Sequence, residues 1–144
     1  MVYLDTSFVA PLVIAENSSD AVEALVLKVK HGELTTSMWT QVELYSLVSR
    51  KVRMGELSDA QADAVRRRFD RVLAESFDIL APTAADFATA ARYLEMRKTG
   101  LRAGDALHLA VAVNRRARRI LTLDHGFLAA GKLLKLPVTL GIKL

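Results

Sequence analysis

AGDALHLAVAVNRRARRILTLD, residues 103–124, is the stretch on which the fold turns. Residues 103–117 have helical composition, and through the first three turns only Asp105 and His108 break a run of small and apolar residues. A helix that is apolar all round must be covered all round, so this one is central. RILTLD, residues 119–124, follows as a short strand that ends in a carboxylate. A buried helix feeding a buried strand is the repeating unit of a parallel sheet with helices on its faces.

Working outward, the same unit recurs. Residues 2–5 form a strand ending at Asp5; residues 7–15 form a helix that Pro11 shortens or kinks. Asn17, Ser18 and Ser19 offer caps for a helix over residues 20–30. LTTS, residues 34–37, is a second strand, and residues 39–53 form a helix ending at Gly55. Ser58 caps a helix to residue 75 whose Ala62, Val65, Phe69, Val72 and Leu73 share one face. Residues 77–80 make a third strand closed by Pro82, and Thr83 caps a helix to Thr99 with Gly100 at its end. Beyond residue 124 a short helix runs to Leu134, and residues 137–140 make an edge strand behind a proline. This alternation predicts a three-layer α/β/α fold around a central, mostly parallel sheet.

The 144 residues, 51% of them hydrophobic, match one domain over 1–144 with a single substantial core. The absence of cysteine excludes disulfides and thiolate zinc sites, and with them any need for an oxidising compartment. Asp5 interrupts the N-terminus before a signal-peptide core can form, and no apolar run approaches the roughly 20 residues that span a bilayer. The expectation is a cytoplasmic protein without membrane contact. Twenty Lys and Arg against sixteen Asp and Glu leave a formal charge of +4, which suits a polyanionic partner.

Four acidic residues stand out by position. Open parallel sheets bind ligands beyond the carboxyl ends of their strands, and Asp5 and Asp124 both lie there. Asp105 occupies the first turn of the apolar helix, where the helix dipole favours negative charge by roughly 0.3–1 kcal/mol. Each of these three can equally be a helix cap. Glu43 cannot: in WTQVELYSLVSRK it falls mid-helix at the margin of the apolar face, where it can pair with Arg50 or reach water. If the four converge at one end of the sheet, their repulsion raises some pKa values unless a cation is bound. Hard divalent ions such as Mg²⁺ take oxygen ligands of this kind and can activate water.

At these residues the chain resembles a known family. YLDTS, TSMWTQVEL, GDALHLA and TLD look like the ordered acidic motifs of PIN-domain ribonucleases, and are most similar to the compact VapC-type toxins of toxin–antitoxin pairs. The resemblance covers essentially the whole chain. It implies that Asp5, Glu43, Asp105 and Asp124 hold Mg²⁺ or Mn²⁺ and carry catalysis, supported by Thr6, Ser7 and Thr122. It also implies an RNA substrate, a homodimer and a small antitoxin protein that blocks the cleft. Where many relatives carry a further aspartate two positions after the Asp124 equivalent, this chain has Gly126, which weakens the case for a second ion.

His108 lies one turn beyond Asp105; the expectation for it is a hydrogen bond inside the fold rather than proton transfer. Arg67, Arg68 and Arg71 belong to a solvated helix face. Arg50, Lys51, Arg53, Arg115, Arg116, Arg118 and Arg119 follow helices that carry or adjoin the acidic motifs, so they are the candidates for RNA phosphates, with Arg50, Arg53, Arg115 and Arg116 foremost. Two rival functions fit parts of the pattern. One is a phosphotransfer or phosphatase domain with Asp5 as nucleophile, although the dehalogenase-type pattern wants an aspartate where Ser7 stands. The other is a non-catalytic PIN-like interaction module, which would be expected to have lost acids. No glycine-rich phosphate loop supports a nucleotide-binding module.

Overall fold

The computed structural model describes residues 1–143. Five short strands, β1 (Val2–Leu4), β2 (Leu34–Ser37), β3 (Asp78–Leu80), β4 (Arg119–Leu121) and β5 (Val138–Thr139), form one sheet in the order β3-β2-β1-β4-β5. Every pairing is parallel, with Tyr3 opposite Thr35 on one side and Ile120 on the other. Chain order runs outward from β1 to β3 and then returns to place β4 beside β1. The strand order therefore reverses between β1 and β4, and the crevice at such a switch point is where open α/β sheets take their ligands.

Side-chain alternation along the strands divides the core. Val2, Leu4 and Leu121 face one layer, built from α1 (Thr6–Val9), α2 (Ser19–Val26), α3 (Met38–Arg53) and α4 (Asp59–Ser76). Tyr3 and Ile120 face the other, built from α5 (Ala84–Glu95), α6 (Ala103–Asn114) and α7 (His125–Leu133). The expected three layers are present. Ala106 to Ala112 of α6 are all buried, as the apolar sequence of that helix demanded.

Several boundaries differ from the sequence reading for local reasons. Pro11 confines the first helix to one α turn followed by a 3-10 turn at Ala10–Leu12. The helix from Thr83 stops at Glu95, because Met96 leaves helical geometry, and a separate 3-10 turn leads to Gly100 in the left-handed region. α6 ends at Asn114 rather than Ala117: Arg116 takes a φ of 55°, and the Ala117 amide donates back to the Ala112 carbonyl. β4 ends at Leu121, three residues before Asp124, which leaves that aspartate free to cap α7.

At the same helix end one candidate for an RNA contact is already paired inside the fold. The Arg115 guanidinium lies 2.6 Å from both carboxylate oxygens of Asp86 and donates to the Ala81 carbonyl. Asp86 is fully buried and also accepts from the Thr83 amide and from Asn114 at 2.7 Å each. Burial opposes the charge, but Arg115 and these donors outweigh it and hold the carboxyl down at about 2. Removing the carboxylate strands a guanidinium and two polar groups between α5 and α6. Asp86→Ala is expected to cost about 3 kcal/mol or more, lowering the melting temperature by on the order of 10 °C. Because the folded value is depressed, the wild-type advantage over the variant should be complete above about pH 4 and fade toward pH 2; urea denaturation across that range measures it.

Candidate active site

At the switch point a cleft of about 490 Å³ opens between α1, α3, α6 and the start of α7. Asp5, Glu43, Asp105 and Asp124 all line it, with Thr6, Ser7, His108, Arg50, Arg53 and Arg102. Four elements distant in sequence thus bring their acids to one place. Among the described residues no three acidic or histidine side chains are gathered tightly enough to clasp an ion as they stand. Their charges nevertheless feel one another: burial, and then the charges of Asp124 and Glu43, push Asp105 above the usual carboxylate range.

Asp5 serves as both cap and cleft residue. Its Oδ1 accepts from the Phe8 amide at 3.0 Å, which starts α1, and from Ser7 at 2.7 Å. Its Oδ2 accepts from Thr122 at 2.7 Å. Ser7 in turn accepts from the Leu123 amide and Thr122 from the Asp124 amide, so the two hydroxyls tie the end of β1 to the turn after β4. With only 4% of the residue exposed, burial pushes the Asp5 carboxyl up to about 6 despite His108, Thr122, Ser7 and Phe8. Asp124 caps α7 through the Phe127 amide at 2.8 Å.

Glu43 does not pair with Arg50, and its side chain keeps 28% exposure on the cleft side. It accepts from Thr6 and from His108 Nε2, the latter at 2.8 Å. Burial favours its neutral form, yet His108, Thr6 and Trp39 outweigh this and hold its pKa below the usual value. The indole N–H of Trp39 is buried beside it without a full hydrogen bond. Gly104 completes the seat: a Cβ there would lie 2.2 Å from Glu43 Oε1 and 3.0 Å from Trp39 Nε1. The glycine before Asp105 is thus what lets α6 approach the carboxylate of α3.

Of the candidate cations, Arg50 and Arg53 line the cleft and Arg115 and Arg116 do not. The latter two stand past the C-terminal end of α6, about 15 Å along the axis from Asp105 at 1.5 Å per residue. Lys51 is engaged by Glu56 at 2.7 Å and Arg118 by Glu33. Arg102, which the sequence reading passed over, lines the cleft from the residue before α6. The signal for it was the position itself: the residue before a helix start that carries a site aspartate must lie beside the site.

The model of the PIN domain matches residues 2–133. The chain belongs to the PIN-domain family. Solved structures agree in fold. FitAcB from Neisseria gonorrhoeae superposes with a TM-score of 0.76 at 21% identity, covering 98% of both chains. VapC20 of Mycobacterium tuberculosis, a sarcin–ricin-loop-cleaving toxin, gives 0.73 at 20% identity over 91% of this chain and 95% of its own. VapBC2 from Rickettsia felis, bound to a DNA fragment from its promoter, gives 0.67 at 18% identity over 96% and 98%. No curated protein shows a significant sequence match.

The PIN-domain cleft makes a prediction through Asp5. Its folded value of about 6 stands above the roughly 3.9 of an unfolded aspartate, so the folded chain binds that proton more tightly. The stability this gives is present at low pH and is lost as pH rises through about 6. In buffer free of divalent ions the melting temperature of the wild type should fall between pH 5 and pH 7 relative to that of Asp5→Asn. Parallel curves for the two proteins would show that the Asp5 carboxyl does not titrate in this window.

Proposed function

We propose that this PIN domain is a divalent-metal-dependent endoribonuclease, the toxin of a toxin–antitoxin pair. The single observation that carries the reading is the convergence of four carboxylates from four elements in one cleft with arginines at its rim. The donor set is all hard oxygen, which fits Mg²⁺ or Mn²⁺. The Asp105 carboxyl, pushed up by burial and then by the charges of Asp124 and Glu43, marks a place that a cation would neutralise. Asp5, Glu43, Asp105 and Asp124 would hold the ion, which when bound activates water and offsets charge on the phosphodiester. Gly126 leaves no fifth carboxylate beside Asp124, which favours a single ion.

The chain's own residues supply the rest. Thr122 and Ser7 orient Asp5 from below, and Thr6 and His108 orient Glu43. Arg50, Arg53 and Arg102 bring positive charge to the cleft, where the phosphates on either side of a scissile bond would lie. The rival in which Asp5 attacks phosphorus fits poorly, since both its oxygens are engaged by three donors and almost none of it is exposed. The retention of all four acids speaks against a purely non-catalytic module. An antitoxin partner and a homodimer belong to the same proposal, on the strength of membership of the PIN-domain family. Among the described residues no helix is long and apolar enough to cross a membrane, and the proposed setting is the cytoplasm.

Purified protein incubated with a panel of RNAs should cleave internally with Mg²⁺ or Mn²⁺ and not in EDTA. Asp105→Asn should abolish cleavage and yet melt higher than the wild type in EDTA, because it removes a repelled charge and keeps the shape. Mg²⁺ at about tenfold over its Kd should stabilise the wild type by roughly 1.4 kcal/mol and the variant much less. Cleavage that survives EDTA sinks the metal mechanism, and an Asp105→Asn protein that melts lower in EDTA sinks the converging charges.

RNA affinity tests the rim. Neutralising Arg50 and Arg53 together should reduce the salt dependence of binding by up to about two phosphate contacts, whereas Arg116→Gln should leave it unchanged. The reverse pattern would move the RNA path to the far end of α6.

A further inference from the structure

Glu43 is seated by a buried pair that the reaction itself does not require. The Tyr3 hydroxyl lies 2.7 Å from His108 Nδ1, and His108 Nε2 lies 2.8 Å from Glu43 Oε2. Tyr3 is fully buried and His108 is 1% exposed, and their rings meet edge to face at 5.8 Å. Tyr3 points from β1 into the α5–α7 layer, where α6 passes; His108 follows Asp105 by three residues, so α6 turns both toward the cleft.

With a neutral imidazole the donors and acceptors set the direction of each bond. The Glu43 carboxylate only accepts, so His108 Nε2 carries a hydrogen and donates it. The phenol of Tyr3, raised by burial above its ordinary range, keeps its proton and has one donor to give. A neutral imidazole offers one donor and one acceptor. The chain from Tyr3 O–H to Nδ1, and from Nε2–H to Glu43, uses both without leaving either unmatched. The opposite tautomer would turn a bare Nε2 lone pair on the carboxylate.

We propose that Tyr3 and His108 are positioning residues for Glu43: Tyr3 locks His108 with its hydrogen on Nε2, and that hydrogen fixes the carboxylate in the place from which it serves the cation. The proposal rests on the metal site argued above. Neither residue is assigned a contact with RNA or a part in proton transfer. Their effect is on how well the site is formed before any ion arrives, in the way that groups behind a metal ligand hold its orientation.

Trp39 is the only tryptophan and stands beside Glu43, so its fluorescence reports the seat directly. Mn²⁺ alone, titrated without RNA, is the probe. His108→Leu should weaken Mn²⁺ binding by roughly tenfold or more, and Tyr3→Phe by several-fold. His108→Gln, whose amide nitrogen can stand where Nε2 stands, should restore affinity to within about threefold of the wild type. Nitrogen-15 spectra of histidine-labelled wild type, assigned with His108→Gln, should show the proton on Nε2 and Nδ1 bare.

The outcomes separate. Equal Mn²⁺ affinity in all variants, with only the melting temperature lowered, makes Tyr3 and His108 ordinary core residues and overturns the proposal. So does a Gln variant as weak as the Leu variant, or a proton found on Nδ1. If the Leu variant does not fold, Tyr3→Phe against His108→Gln decides: the proposal requires Tyr3→Phe to bind Mn²⁺ more weakly. A wild type that gives no response to Mn²⁺ removes the metal site and this proposal together, whereas a wild-type response shared equally by every variant removes the proposal alone.

Discussion

A buried carboxylate at the switch point is the constraint from which the rest of this structure follows. Asp5 ends β1, starts α1 through the Phe8 amide and receives Thr122 from the turn after β4. One side chain therefore joins the strand, the helix that leaves it and the neighbouring strand across the reversal of chain order. An unpaired charge with this little exposure would be costly to bury, and three donors make it tolerable without making it comfortable. The raised pKa is the remainder of that cost. The fold thus carries an electrostatic strain located where a ligand can relieve it.

The second constraint is the close approach of α6 to α3. An apolar helix sunk between layers carries its N-terminal end up to the carboxyl ends of the strands, and Asp105 comes with it. That approach is possible because position 104 lacks a side chain: the Glu43 carboxylate occupies the space a methyl group would need. Glu43 is then gripped from α1 by Thr6 and from α6 by His108. Ser7 and Thr122 do for Asp5 what Thr6 and His108 do for Glu43, so each of the two acids stands on a pair of oriented polar groups.

Much of this was legible in the chain. Alternating strands and helices, and a helix apolar through three turns, were enough for the three layers, and the four acids were marked by carboxylates placed where burial should exclude them. For Asp5 and Asp124 cap and cleft are compatible positions, because each starts a helix through a backbone amide and also lines the cleft. What the chain hid was long-range pairing. Arg115 reads as a free cation after a helix until Asp86, 29 residues earlier and cast as part of a capping box, is seen to face it. Arg102 was legible only at second hand, through Asp105: once that aspartate in the first turn of α6 is placed in the cleft, the residue before the helix lies beside it.

The distribution of charge gives the cleft a further property. Lys51, Arg115 and Arg118 are spent in ion pairs, which leaves the net charge of +4 unchanged but reduces the number of cations free to meet a polyanion. The rim that remains, Arg50, Arg53 and Arg102, surrounds a floor of four acids. A phosphodiester drawn in by the rim meets repulsion from the floor unless that floor is neutralised, and within the Debye length of about 8 Å at physiological salt that repulsion is screened little. On the proposed function, cation and RNA then bind with positive coupling, and linkage makes the coupling reciprocal: whatever factor the cation adds to RNA affinity, RNA adds to cation affinity. On that reading the arrangement of arginines outside and carboxylates inside couples the two partners through charge alone, without any conformational switch.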